Sequence, residues 1–291
     1  MDLLMYRALW GAGVDYRVIA QEARDAGFDG LEGGLPVAPD ARAELCRALR
    51  ETGLRYIGEV CTGGQSDAWW IPPRSASVTD HLRTFEEGLQ AFHAYEFEVE
   101  FINCMGGLDA WPVATSVDFF ARAMEIAAVY GMTVSFETHR SRSTFSPWAT
   151  LAIVHALPDI RLTCDFSHWC VVAERLIDEE TEVLSAVYPR AHHVQCRVGY
   201  AQGPQVPDPA APAYRDALEA HQRWWAAIWA AHRAQGRSTT TMTPEFGPDG
   251  YQQVDPVTKQ ATSDLWQINR WMAKTEREHF QRWLHDSTAL S

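Results

Sequence analysis

Residues 133–137 read TVSFE, and their alternation decides the architecture. Successive residues of an extended chain point to opposite faces, so Thr133, Ser135 and Glu137 share one face while Val134 and Phe136 share the other. The same alternation recurs three times downstream. Thr163 and Asp165 oppose Leu162 and Cys164; His193, Gln195 and Arg197 oppose Val194 and Cys196; Thr241, Thr243 and Glu245 oppose Met242 and Pro244. Central strands of an open, doubly wound sheet are usually apolar on both faces because helices cover both. Four consecutive strands that send polar groups one way fit a closed barrel instead, with an apolar outer face against helices and a polar interior.

Outward from these strands the chain repeats one unit: a β-rich run, a polar loop, an amphipathic helix, and a glycine that ends the helix. The spacing predicts helices over Tyr16–Ala26, Ala41–Thr52 and Phe119–Tyr130, ended by Gly27, Gly53 and Gly131, with Asp15 and Ser116 placed as N-caps. Eight candidate strands fall near Leu3, Phe28, Tyr56, Phe101, Val134, Leu162, Val194 and Met242. The expected fold is therefore α/β, a single (β/α)8 TIM barrel over residues 1–291, with the helical segment 262–286 packing on the barrel. No strand is followed by a glycine-rich phosphate fingerprint, which counts against the doubly wound rival. Trp224, Trp225, Trp229, Trp266, Trp271 and Trp283 recur at helical spacings in the last two helices, where core and subunit contacts account for them.

With 46% apolar and 22% charged residues, and no apolar run of about 18 residues, the composition is that of a globular chain without a membrane span. The opening MDLLMYRALWGAG lacks a basic region ahead of a cleavable apolar stretch, which points to the cytoplasm. Six scattered cysteines without a C-x-x-C pair read as reduced thiols, in keeping with that address. A formal net charge of −13 would repel a phosphate backbone, so nucleic acid is not an expected partner. A homo-oligomer or a partner subunit is compatible with the sequence.

Each of the four later strands ends in an oxygen donor on its polar face: Glu137, Asp165, Gln195 and Glu245. Acids gathered at one barrel mouth repel one another without a cation, and barrel active sites lie at this end of the strands. Three carboxylates and an amide form an oxygen-only set suited to Mg²⁺ or Mn²⁺. His193 points the same way one step lower on the seventh strand; as the ligand in place of Gln195 it would favour Mn²⁺ or Co²⁺. His139, two residues past Glu137, is placed to donate to a substrate or to cap a loop, and Trp10 and Glu32 end the first two strands near the mouth.

The strings GLEGG, FETHR, CDFSHW, HHVQCRVG and TPEFGP, at successive strand ends, resemble the xylose isomerase-like barrel superfamily, in particular the proteins grouped as sugar phosphate isomerases/epimerases. The resemblance implies one Mn²⁺ or Mg²⁺ held by Glu137, Asp165, Gln195 and Glu245. It implies that Glu137 and Glu245 are catalytic, moving a proton beside the substrate carbonyl through an enediolate. His168 corresponds to a histidine that binds a substrate oxygen. Arg197 resembles the substrate-binding arginine of ketose epimerases, although it lies closer to the seventh-strand ligand than is usual there.

The implied activity is metal-dependent isomerisation or epimerisation of an unphosphorylated ketose, aldose or keto sugar, since no anion nest or basic pair in the last loops is dedicated to phosphate. A lyase of the inosose or dehydroshikimate dehydratase type, or a C-glycoside deglycosidase, would use the same barrel and donor set. A hydrolase like the endonuclease IV relatives would need a zinc cluster with more ligands than this pattern supplies. A non-catalytic binding protein would have no use for two glutamates flanking one metal. The seventh loop, RVGYAQGPQVPDPAAPAY, has the prolines and glycines of an ordered lid.

Overall fold

The computed structural model describes residues 1–64, 70–95 and 98–289. Eight parallel strands close on themselves in chain order: β1 (Asp2–Ala8), β2 (Gly30–Gly33), β3 (Arg55–Cys61), β4 (Ile102–Met105), β5 (Val134–Glu137), β6 (Leu162–Cys164), β7 (Ala191–Gln195) and β8 (Thr239–Thr243), with β8 pairing back onto β1. Helices α1 (Tyr16–Asp25), α2 (Pro39–Thr52), α3 (Val78–His93), α4 (Val113–Val129) and α5 (Pro147–Ala156) follow the first five strands. The short α6 (Ser167–Ala173) and α7 (Thr181–Val187) follow β6, α8 (Arg215–Ala234) follows β7, and α9 (Leu265–Ala289) follows β8. This is the (β/α)8 barrel that the alternation required. No helix among the described residues is long and apolar enough to cross a membrane.

Two details depart from the sequence reading. The second strand begins at Gly30 rather than Phe28, because Phe28 still belongs to the turn that closes α1 and stacks on Trp266 of α9 at 5.8 Å. Ser116 does not cap a helix: α4 starts after Pro112, and the Ser116 hydroxyl lies within it, bonded to Ser143 Oγ at 2.8 Å. Asp15 does cap α1, accepting from Val18 N–H at 3.1 Å. Gly27, Gly53 and Gly131 sit at φ of 80°, 68° and 63°, left-handed values that a side chain would strain.

Apolar faces pack outward. Met5, Leu31, Val60, Cys104, Phe136, Leu162, Val194 and Met242, one from each strand, join a continuous layer with the inner faces of the helices. The cysteines are free thiols, five of them buried as small packing residues. Trp224, Trp225 and Trp229 are buried on α8, and Trp229 meets Phe280 and Trp283 of α9 at 5.0 and 5.7 Å, so the tryptophans join the last helix to the barrel. Within the barrel, Tyr6, Ile57 and Phe101 plug the N-terminal end. A Cβ on Gly30 would stand 2.4 Å from the Tyr6 ring and 2.7 Å from the Arg55 carbonyl oxygen. Gly30→Ala is therefore expected to cost about 1–3 kcal/mol by overpacking. A thermal melt of the variant should fall below wild type; an unchanged melting temperature would mean that this floor is not tightly packed.

Candidate active site

Above the apolar plug the interior turns polar, and a ladder of hydrogen bonds rises to the C-terminal mouth. Ser135 and Thr163 bond across β5 and β6 at 2.6 Å, and His193 bonds Thr241 at 2.8 Å and Thr243 at 3.1 Å. Glu32 is the hub. It is 3% exposed at the centre of the barrel, not at a solvated rim, and accepts from Asn103 Nδ2 at 3.2 Å and Gln195 Nε2 at 3.1 Å while facing His193 Nε2 at 3.2 Å. Burial opposes its ionisation, yet the His193 ring and the donors around it hold the Glu32 carboxyl below the ordinary range. An ionised carboxylate only accepts, so it turns the Gln195 NH₂ toward itself and leaves Gln195 Oε1 buried with no partner. Asn103 also donates to Glu137 Oε2 at 2.8 Å, and Glu137 Oε1 is likewise buried and unpartnered.

Glu137, Asp165 and Glu245 come together at the mouth, each offering a carboxylate oxygen within 4.8 Å of the others, all three buried. Asp165 is set by Ser167, whose backbone N–H and hydroxyl both donate to its Oδ1. Arg197 lies among them. Its guanidinium donates to Asp165 Oδ2 and to Ser167 Oγ, and stands 3.5 Å from Glu245 Oε2. When ionised, three carboxylates against one guanidinium leave a net charge of −2. Burial first, then Asp165 and Glu59, push the Glu137 carboxyl well above its usual range. Burial does the same to Glu245, outweighing the pull of Arg197. Asp165 is raised by burial despite Arg197 and Ser167. A divalent cation fits this donor set: it balances the residual charge and supplies a partner for the orphaned oxygen of Glu137.

His139 and His168 face each other at 4.1 Å between ring centroids, beside Glu137. Burial and neighbouring cationic groups hold both well below the ordinary histidine range, so the rings are neutral. Arg197 donates to His168 Nε2 at 2.8 Å, which places the His168 proton on Nδ1, a buried donor without a partner. That occupied Nε2 and the adjacent guanidinium make the trio Glu137, His139 and His168 a poorer cation site than the three carboxylates. His193 is engaged by Glu32 and both threonines one layer below the mouth, so it serves the ladder.

The covering residue comes from the eighth loop rather than the seventh. Tyr251 lies over the mouth between Arg140 and Arg197, each 4.7 Å from its ring, with its hydroxyl 3.4 Å from His139 Nε2. Trp10 and Trp70 pack on it at 5.1 and 5.8 Å, and Trp10 Nε1 donates to Asp249 at 2.7 Å. The space left against Glu137, His139, Arg197 and Glu245 is about 10 Å³, roughly one water. The seventh loop braces this cover, since Gln205 exchanges two hydrogen bonds with the backbone of Gly247 at 3.1 and 2.9 Å.

Sequence reasoning reached Glu137, His139, Asp165, His168, Gln195, Arg197, Glu245 and Trp10; the fold brings seven of them together at the mouth, while the Gln195 amide is bonded to Glu32 at the centre of the barrel. It missed Asn103, whose inward position follows from extending the alternation to FINCM, and Tyr251, which no periodicity could have found in a loop.

A family model described as xylose isomerase-like TIM barrel matches residues 20–206. No curated protein sequence matches this chain significantly. Among solved structures, 3-keto-D-glucoside 4-epimerase YcjR from E. coli is 14% identical, with a TM-score of 0.58 over 96% of this chain and 99% of that one. A D-tagatose 3-epimerase-like protein is 11% identical, with a TM-score of 0.59 over 98% and 99%. A xylose isomerase-like TIM barrel protein from Mycobacterium smegmatis, in complex with magnesium, is 13% identical, with a TM-score of 0.57 over 84% and 91%. At these identities the likeness is one of fold.

Two expectations follow from the geometry. Removing the hub with Glu32→Ala should weaken Mn²⁺ binding about 10–100-fold by freeing the Gln195 amide and the Asn103 bridge, as calorimetry would report; unchanged affinity would detach the ladder from the site. Because burial raises the Glu137 and Glu245 carboxyls toward their protonated forms, Mn²⁺ uptake should release protons and affinity should rise with pH. A flat profile would mean that these carboxyls are not displaced.

Proposed function

The chain belongs to the xylose isomerase-like TIM barrel family, and from that premise we propose that it is a divalent-metal-dependent sugar isomerase or epimerase acting on an unphosphorylated ketose, aldose or keto sugar. The observation that carries this reading is the meeting of two buried glutamates, Glu137 from β5 and Glu245 just beyond β8, in one narrow space with His139, beside His168.

Glu137, Asp165, Gln195 and Glu245 would hold the ion, Mn²⁺ or Mg²⁺. When bound it would polarise the substrate carbonyl and offset the negative charge that develops as the adjacent C–H proton leaves. Glu137 and Glu245 stand three strands apart around the barrel, so they face a compound in the mouth from different sides. One removes the proton and becomes a carboxylic acid; return by the same residue to the neighbouring carbon gives an isomer, and delivery by the other residue to the opposite face gives an epimer. His168 Nδ1–H, held in that tautomer by Arg197, donates to a substrate oxygen, and the half-buried Trp10 with Tyr251 excludes water. Arg197 is tied to Asp165, Ser167, His168 and Glu245, so its part is to fix those groups around the reacting centre.

Glu137→Gln and Glu245→Gln should each lower kcat by at least about 100-fold while substrate still binds. Proton NMR in D₂O, with Mn²⁺-loaded protein and a panel of free ketoses, keto acids, inososes and 3-oxo glucosides, gives the direct readout. Deuterium beside a carbonyl in a rearranged sugar is the expected result. An unsaturated product or a released aglycone would move the chemistry to the lyases, and full turnover in both glutamine variants would sink the two-carboxylate mechanism.

A further inference from the structure

At the N-terminal end of the barrel, on the face opposite the mouth, three consecutive strands are each preceded by an arginine. Arg161 stands one residue before β6, Arg190 one residue before β7 and Arg237 two residues before β8. The strand register brings them together. Leu162 pairs with Ala191, so Arg161 and Arg190 enter adjacent strands side by side; carried down from Val194 and Met242, the β7–β8 register sets Arg237 level with Pro189. Neighbouring strands lie about 5 Å apart, so three cations crowd one edge of the barrel. A cleft of about 470 Å³ opens there, lined by all three, and its size lies in the range of small-molecule sites.

Like charges held this close repel unless counterions meet them. Among the described residues, no carboxylate forms an ion pair with Arg161, Arg190 or Arg237, and the exposed Arg161 side chain meets no acceptor. Arg190 gives Nη1 to the Ala186 carbonyl at 2.7 Å, while its Nε is buried without a partner. Arg237 reaches the carbonyls of Ala191 and His192 at 3.4 and 3.2 Å and His232 Nε2 at 2.9 Å. These partners are neutral: they satisfy N–H groups and leave the charge in place. Burial first, then Arg161, holds the half-buried Arg237 below the ordinary arginine range. His192, on the same lining, is pushed down to about 3 by burial and then by Arg237, so its ring is neutral. Asp159 is the acid of the lining, and three guanidinium groups against one carboxylate leave a net charge of +2. In a chain of net charge −13 this is a local reversal of sign. Arg190 and Arg237 have carbonyls to hold, but Arg161 has no such task. Met124, Pro158 and Ile160 add an apolar flank to the cleft.

We propose that this cleft is an anion site that takes a phosphate group between Arg161, Arg190 and Arg237, with the neutral His192 ring beside it. Guanidinium forks match phosphate oxygens in pairs, and a phosphate dianion cancels the +2 charge of the lining. The site owes nothing to the proton-transfer reading. It lies at the far end of the barrel from Glu137 and Glu245, so a phosphate held here stays apart from the reacting carboxylates. The anion is free phosphate or the phosphate of a small organic ester whose remainder rests on the apolar flank.

Calorimetry on the full, Mg²⁺-loaded chain, with inorganic phosphate and phenyl phosphate as probes, tests the assignment. Wild type is expected to bind phosphate with a Kd at or below about 1 mM, more weakly as KCl is raised, and to melt at a higher temperature with phosphate present. Arg161→Gln removes a charge bonded to nothing within the protein. Without phosphate the variant should melt no lower than wild type, yet its phosphate affinity should fall about tenfold. Arg190→Gln should lose a similar factor, whereas Glu137→Gln, at the mouth, should bind phosphate as wild type does. Tighter binding of phenyl phosphate assigns an organic phosphate, and equal binding assigns the free anion. No phosphate binding, or affinity unchanged in both arginine variants, would overturn the proposal. Loss of binding in Glu137→Gln alone would also overturn it, by placing the anion on the metal.

Discussion

Negative charge confined inside a barrel is the constraint from which the rest of this structure follows. Glu137, Asp165 and Glu245 bring carboxylate oxygens within 4.8 Å of one another out of contact with bulk water. At an effective dielectric near 20 each like-charge pair at that distance costs about 3 kcal/mol, before the cost of desolvating the groups. Arg197, locked between Asp165 and Glu245, offsets part of this. The remainder is met by protons or by a cation, and the orphaned oxygens of Glu137 and Gln195 are where the arrangement is left incomplete.

That constraint explains the polar ladder beneath the mouth. Asp165 is held at its own level by Ser167 and Arg197, whereas Glu137 is held from below. Glu32 reaches two strands at once: through Asn103 it meets Glu137, and it fixes the Gln195 amide by accepting from its NH₂. His193 completes the layer by joining Glu32 to Thr241 and Thr243. A histidine at the mouth could ligate; one layer lower it is consumed in keeping the hub charged.

Period-two alternation made the barrel and the donor ends of β5 to β8 legible, because a polar residue on an inward face has few explanations other than a site. The first half of the barrel was harder to read. On β2 only Glu32 is charged, between Leu31 and Gly33, and a lone glutamate near a strand end looks the same in sequence whether it is solvated or central. Ser116 misled because a serine ahead of an apolar run resembles a cap, whereas Pro112 had already started the helix one turn earlier. Tyr251 was beyond reach for another reason. Its position over the mouth depends on edge-to-face packing with Trp10 and Trp70, the two arginines near its ring and the Gln205 brace on Gly247, contacts between loops distant in sequence.

The two faces of Trp10 bring these strands of argument together. On one side the indole packs against Tyr251 over the carboxylates, where space is reduced to about one water; on the other it borders a larger groove between the ends of β1 to β3 and α3. A reaction that removes a proton from carbon gains from a dry, closed space around that carbon. Selectivity among sugars that share the same reacting atoms must come from contacts further away, since hydroxyl-bearing rings differ little near the carbonyl. The carboxylates at the reacting end come from the ends of β5, β6 and β8, while two of the three rings over them, Trp10 and Trp70, come from the loops after β1 and β3, so the two halves of the barrel divide reaction from enclosure.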